Sequence, residues 1–321
     1  MENINLINFN ILVKRNKKKK RSWYHGLKGH WWKGMSENAA RQKLVETENA
    51  FKLDDGDIDN GISTVDKIEE INGEKKIAIC AMVRNEERFG NLKRFYACCR
   101  ELEKRHNLVY VIIEGDSYDD TYKSLKKFLC GDEDGKKDRN YILKKYDKGY
   151  SKFAKNRDTK RTKYFADIRN MLVDYVLEIP DIDLIFMVDA SYGMNGDIIE
   201  NLEKTLRKDG ADIASPMNLS HKDHTGKDMW YDIFAFHKDG KEFVNRWPHH
   251  NEIESNLKSG KSVKLDSCGG AYLVKREVFD AGVRYKGDKT CEHVGLCSAA
   301  RKKGFVIKLN PKVAVRKGGD V

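Results

Sequence analysis

From Lys76 onward, short apolar runs alternate with longer stretches whose apolar positions recur every three or four residues. Ile77-Ala78-Ile79-Cys80-Ala81-Met82-Val83, Leu108-Val109-Tyr110-Val111-Ile112-Ile113 and Leu184-Ile185-Phe186-Met187-Val188 are unbroken by polar residues. Runs of that length fit strands buried on both faces, as in a parallel sheet. Residues 91–105, 121–129, 167–177 and 197–208 are predicted to be helices, and 131–137 a charged loop. Val313-Ala314-Val315 is a late strand. Strands alternating with helices predict the α/β class, a mainly parallel sheet with helices on both faces.

The ends of the three apolar runs carry the candidate chemistry. The first runs into Arg84-Asn85-Glu86, the second into Glu114-Gly115-Asp116-Ser117 and the third into Asp189-Ala190-Ser191. Open α/β sheets bind ligands at the carboxyl ends of their strands, so these three ends predict one polar pocket. An acid after one strand is more often the cap of a turn. Its place as the third in an ordered series reverses that preference for Asp189, and a carboxylate there can hold a divalent ion against a diphosphate. The chain has no G-x-G-x-x-G after its first strand and no P-loop, which argues against dinucleotide and kinase chemistry. His221-x-x-His224 with Asp223 is a second, weaker metal pattern.

The ordered set resembles a family. Val83-Arg84-Asn85-Glu86, Glu114-Gly115-Asp116-Ser117-Tyr118-Asp119-Asp120-Thr121 and Ala166-Asp167-Ile168-Arg169-Asn170 are similar to the first half of a GT-A-fold glycosyltransferase. Asp189-Ala190-Ser191 then stands at its D-x-D position. Trp230-Tyr231-Asp232-Ile233-Phe234-Ala235-Phe236, Ser267-Cys268-Gly269-Gly270-Ala271-Tyr272-Leu273-Val274 and Cys291-Glu292-His293-Val294-Gly295-Leu296 complete a series that resembles the fungal capsule and mannan mannosyltransferase branch. The resemblance spans about residues 76–315 and implies a GT-A-like fold, a UDP- or GDP-sugar donor and a divalent ion, Mn or Mg. It further implies that Arg84 and Arg169 offset diphosphate charge, and that Glu114 and Asp116 face the nucleoside, Asp116 accepting from ribose hydroxyls. Asp189 would bind the metal, with Ser191 and His293 as further ligands. Asp232 would orient donor or acceptor, Gly269 and Gly270 would let backbone approach the sugar, and Glu292 would be the general base. Two positions depart from the pattern. Ser191 replaces the second acid, and Arg316 stands where many GT-A enzymes carry a metal-binding His. Either the metal is held weakly, or Arg316 supplies part of its charge.

Composition enlarges the picture at the N-terminus. The net charge of +11 is unevenly spread: residues 1–45 hold eleven Lys/Arg and two Glu, whereas 46–75 hold three Lys and ten acids. This predicts a basic arm with a small helix (1–53), an acidic linker (54–75) and the transferase domain (76–321). Lys17, Lys18, Lys19, Lys20 and Arg21 suit phosphate contacts, and Trp31, Trp32 and Lys33 follow among glycines. Gly26-Leu27-Lys28-Gly29 and Gly34-Met35-Ser36-Glu37 resemble the small DNA-binding modules of phage and intron homing nucleases, over residues 24–45. That likeness implies duplex DNA as partner and a 5-hydroxymethylated pyrimidine of phage DNA as acceptor, reached by base flipping. Two other readings stay open. One is a capsule or glycan mannosyltransferase whose arm touches an anionic membrane; the other is a non-catalytic DNA-binding protein on a transferase scaffold. Seven irregularly spaced cysteines without C-x-x-C suggest reduced packing residues. With no signal-peptide pattern and no apolar run long enough to span a bilayer, a cytoplasmic protein is expected.

Overall fold

The computed structural model describes residues 76–131, 139–149, 158–246, 253, 255–256, 259–287 and 291–319. The chain divides into Met1–Ile58 and Asp59–Val321, and every described residue belongs to the second unit. The predicted basic arm, the acidic linker and nearly all of the charged loop lie outside the described residues.

In chain order the elements are β1 (Lys76–Val83), α1 (Asn91–Glu103), β2 (Asn107–Glu114), α2 (Thr121–Leu129), β3 (Asn140–Lys145), α3 (Thr159–Glu178), β4 (Ile182–Val188), β5 (Tyr192–Met194) and α4 (Ile198–Lys208). There follow β6 (Ile213–Lys222), β7 (Asp228–Trp230), β8 (His237–Lys238), β9 (Lys241–Glu242), β10 (Val263–Lys264), β11 (Ala271–Lys275), α5 (Arg276–Asp280), α6 (Glu292–Lys302) and β12 (Ile307–Lys317). One sheet runs β10-β12-β6-β11-β4-β1-β2-β3, with β5 added to β12 and β7 to β6. The expected parallel pairing holds for the block β4-β1-β2-β3. The sheet as a whole is mixed, because β11 lies antiparallel to both β4 and β6. Its chain enters beside Asp189, where the Gly270 carbonyl accepts from the Asp189 N–H (3.0 Å), so β11 runs back from the site end of β4.

Strand pleating explains why the apolar runs are continuous. In β1, Ala78 and Cys80 face the side covered by α3, α5 and α6, while Ile77, Ile79 and Ala81 face α1, α2 and α4. Both sets are buried, so every position must be apolar. The seven cysteines are free thiols, six of them buried, as packing residues should be.

Three elements differ from the sequence expectation. α3 begins eight residues before residue 167, at Thr159, where the Asp158 carboxylate caps the Lys160 N–H (2.8 Å). The extra turns carry Lys160, Arg161 and Lys163, whose charge hides the helical period. The helix ends at Ile179, held extended before Pro180. β12 is eleven residues long where a tripeptide was expected; Pro311 donates no ladder bond, and the register with β6 shifts between Asn310 and Ala314. β3 is a partly exposed edge strand with little apolar signal. Among the described residues, no helix is long and apolar enough to cross a membrane.

Candidate functional site

The three polar strand ends converge on one cavity of about 230 Å³. Arg84 and Glu86 reach it from the end of β1, Gly115 from β2, and Asp189 and Ser191 from β4. α3 contributes Arg161, Tyr164, Phe165 and Ile168, and Tyr231 and Lys317 complete the lining. The loops after β1 and β2 are tied together. The Asn85 N–H donates to Ser117 Oγ, and the Tyr118 N–H to Asn85 Oδ1, each at 2.9 Å. Asn85, Asp116 and Asp232 all have left-handed backbone, φ 55°, 56° and 60°. Such strained conformations persist where the surrounding structure holds them.

Arg169 is the electrostatic centre beneath this cavity. Its side chain is 2% exposed; Nη2 donates to Asp189 Oδ1 at 2.8 Å and Nε to Glu292 Oε1 at 3.1 Å. Asp189 is the exposed partner at 23%, and Glu292 is buried at 5%. Asp232, partly exposed, has its pKa pushed up to about 7. Burial is the main cause, followed by the Glu292 and Asp189 charges, against the pull of Arg169 and Arg161.

The structure places several of the expected residues off the cavity lining. Glu292, expected as the base, opens α6 but is held under Arg169, away from the cavity lining. The carboxylates on the lining are Glu86 and Asp189; Asp232, also partly exposed, follows the lining residue Tyr231 in the chain. Asp116, expected to accept from a ribose, is already occupied. Its Oδ1 accepts from the Lys148 and Gly149 N–H groups (2.9 and 2.7 Å) and its Oδ2 from the Tyr164 hydroxyl (2.9 Å). It therefore shapes the loop after β3. Glu114 is fully buried behind Gly115: one oxygen accepts from the Ser117 N–H, and Oε2 has no partner among the described residues. Gly269 and Gly270 do permit a close approach, but to the protein itself. A Cβ on Gly269 would stand 2.7 Å from His293 Cδ2, and one on Gly270, at φ 73°, 2.4 Å from the Tyr192 hydroxyl.

Each member of the expected metal set has a partner within the protein. Asp189 Oδ1 is taken by Arg169. The Ser191 hydroxyl, 1% exposed as a residue, accepts from Lys317 Nζ. His293 Nε2 accepts from the Gly270 N–H at 3.3 Å. Burial, and then the Arg169 charge, hold this histidine neutral, with its pKa well below the usual value. Among the described residues, no three His, Cys, Asp or Glu side chains are grouped to hold an ion, and this covers His221 and His224 too. Asp223 between them closes a turn, accepting from the Thr225 and Lys227 N–H groups. Arg316 points away from the cavity, to Asp228 (2.7 Å) and the Ser220 carbonyl. The next residue along the strand, Lys317, faces it instead.

Arg161, Tyr164 and Lys317 were not among the expected site residues. Arg161, Tyr164/Phe165 and Ile168 recur at helical spacing ahead of Arg169, a signal readable once α3 is extended to Thr159. Lys317 carries no local signal. It arrives because β12 pairs with β5, setting Lys317 opposite Tyr192.

Burial raises the Glu114 pKa to about 7, opposed by its hydrogen bond to Ser117. The protonated carboxyl is thus favoured by folding. That contribution is full below the unfolded pKa of about 4.3 and is lost as pH rises through 7. Glu114→Gln is expected to be more stable than the parent at pH 8 by roughly 2 kcal/mol, with no gain at pH 4. Urea denaturation at the two pH values checks it; equal effects at both would remove the role of ionisation.

Residues 76–300 match a family model described as Cryptococcal mannosyltransferase 1. No curated protein sequence matches the chain. Among solved structures, S. aureus TarS 1-349 is similar at 10% identity and TM-score 0.46, over 75% of this chain and 60% of that one. GalNAc-T7, solved with UDP, GalNAc and Mn2+, is similar at 14% identity and TM-score 0.48, over 77% of this chain and 44% of that one. The mannosyltransferase PcManGT from Pyrobaculum calidifontis, solved with GDP-Man and Mn2+, is similar at 12% identity and TM-score 0.49, over 77% and 58%. The chain thus spans less than two thirds of each of the three.

Proposed function

The chain belongs to the family described as Cryptococcal mannosyltransferase 1, and from that membership we propose that it is a glycosyltransferase moving a sugar from a UDP- or GDP-linked donor to a hydroxyl acceptor. The observation that carries this reading is the cation set in the cavity. Arg84, Arg161 and Lys317 line it at the carboxyl end of a parallel block, with Asp189 beside them. Three cations suit a diphosphate, and forked guanidinium groups suit its oxygens. In this reading Asp189, held by Arg169, orients the donor sugar. Asp232 takes the proton of the acceptor hydroxyl as its oxygen bonds to the sugar's anomeric carbon. The anomeric carbon–oxygen bond breaks, and its electron pair leaves with the nucleoside diphosphate. Glu114, Asp116 and Glu292 act from behind as positioning residues, as do Gly269, Gly270 and His293.

A screen of UDP- and GDP-sugars for release of free nucleoside diphosphate is expected to show slow hydrolysis of one donor class. Silence across every donor, with and without added metal, would refute the reading. For the acceptor, two sources are distinguishable. The resemblance of residues 76–315 to capsule and mannan mannosyltransferases favours a glycan hydroxyl. The charge of residues 14–45 favours a 5-hydroxymethylpyrimidine in duplex DNA, bound through Lys17–Arg21 and Trp31–Lys33. Sugar added to hydroxymethylated DNA supports the second; binding to anionic vesicles but not to DNA supports the first.

A further inference from the structure

We propose that the Lys317 ammonium does the work of the divalent cation, so that the nucleotide-sugar donor binds and reacts without metal. This rests on the glycosyltransferase reading above and deepens it.

A divalent ion at a D-x-D motif is held by the two acids and faces the diphosphate. Here the second of those positions is Ser191, and Lys317 Nζ donates to its hydroxyl. The ammonium therefore occupies the space in front of the motif, on the cavity lining. Backbone pairing holds it there, since β5 follows Ser191 directly and Lys317 is the β12 partner of Tyr192. Two rings fix the head group further: Nζ lies 5.3 Å from the Tyr231 ring centroid and 5.7 Å from that of Tyr192, within cation–π range.

The donor atoms point the same way. A hard divalent ion takes several oxygens, with one or two protein carboxylates holding it beside the phosphates. Asp189 offers one carboxylate, already bonded by Arg169; Ser191 offers a neutral oxygen that already accepts a hydrogen bond from Lys317. Glu86 is the other acid on the lining, and Asn91 Nδ2 donates to its Oε2 at 2.5 Å. An incoming ion would have to displace a cation that is already bonded. A diphosphate would not: its oxygens can accept from the remaining Lys317 protons, with Arg84 and Arg161 on the same lining. Charge developing on the departing diphosphate is then met by preorganised donors, without a metal.

The test measures binding of GDP and UDP to the full chain by calorimetry, and donor hydrolysis, in EDTA and in Mn2+. Affinity for the preferred diphosphate and hydrolysis rate are expected to agree within about threefold between the two conditions. Lys317→Met is expected to weaken diphosphate binding about tenfold or more, while leaving the nucleoside monophosphate nearly unchanged, as loss of a charge-assisted contact to the second phosphate requires. Lys317→Arg should recover most of it. Binding and hydrolysis seen only with Mn2+, or indifference of the diphosphate to Lys317→Met, overturn the proposal and leave the glycosyltransferase reading standing. No nucleotide bound in either condition overturns both. The EDTA comparison uses the unaltered chain and decides the matter even if Lys317→Met fails to fold.

Discussion

Arg169→Met is expected to lower the unfolding free energy by about 3–5 kcal/mol, the range for removing one partner of a buried ionic network. The guanidinium is the shared partner of Asp189 and Glu292, at 2.8 and 3.1 Å. Glu292 is buried, and His293, a further basic neighbour at 3.5 Å, is kept neutral by burial. Without Arg169 a carboxylate is stranded in the interior and must either ionise unpaired or take a proton. Urea unfolding at pH 8 measures the loss. Adding Glu292→Gln to Arg169→Met should restore part of it, because the stranded charge is then gone. A loss below about 1 kcal/mol, or no rescue, would mean that Arg169 acts as an ordinary solvated helix residue.

Asp232→Asn is expected to lower kcat/KM by about 10²–10⁴, the usual contribution of a general base. The pH profile carries the sharper signature. A carboxylate with a pKa of about 7 must lose its proton before it can accept one, so activity should rise as pH increases through 7. Asp232→Asn should abolish that limb along with the rate. Stability moves in the opposite sense. The folded pKa lies above the unfolded value of about 3.9, so this group's contribution is full below 3.9 and falls as pH rises through 7. Asp232→Asn should therefore be no less stable than the parent at pH 8, which separates a catalytic defect from an unfolded protein. Retention of the acidic limb in Asp232→Asn would remove Asp232 from the proton transfer.

The site was legible to different depths at different residues. Asp189 and Arg84 were readable because each signal is local, an apolar run that stops at a charge; Arg169 was expected only through the resemblance, as a diphosphate partner, whereas it is buried between Asp189 and Glu292. Asp232 was expected among the catalytic residues, as an orienting group; its left-handed backbone and its neighbours Glu292 and Asp189 do not follow from local pattern. Glu292 opens a helix after a loop and so looks exposed. Its burial comes from α6 packing against α3, across more than a hundred residues of sequence. Arg316 and Lys317 differ by one step in a strand, and side chains alternate faces at every step. Which of them enters the site depends on the β12–β5 register, with Pro311 and its register shift a few residues before.

Local pattern was enough for the α/β class, the parallel block and the sheet edge that carries the cavity. Hydrophobic period and abrupt strand ends are short-range properties that the chain writes directly. Which charges pair follows from packing. It set Arg169 between Asp189 and Glu292, turned Gly269 and Gly270 toward His293 and Tyr192, and brought Lys317 to Ser191. The physical reason is that a charge's role is set by its partners and its access to water. Those come from strand order and register, which join residues that the sequence keeps far apart.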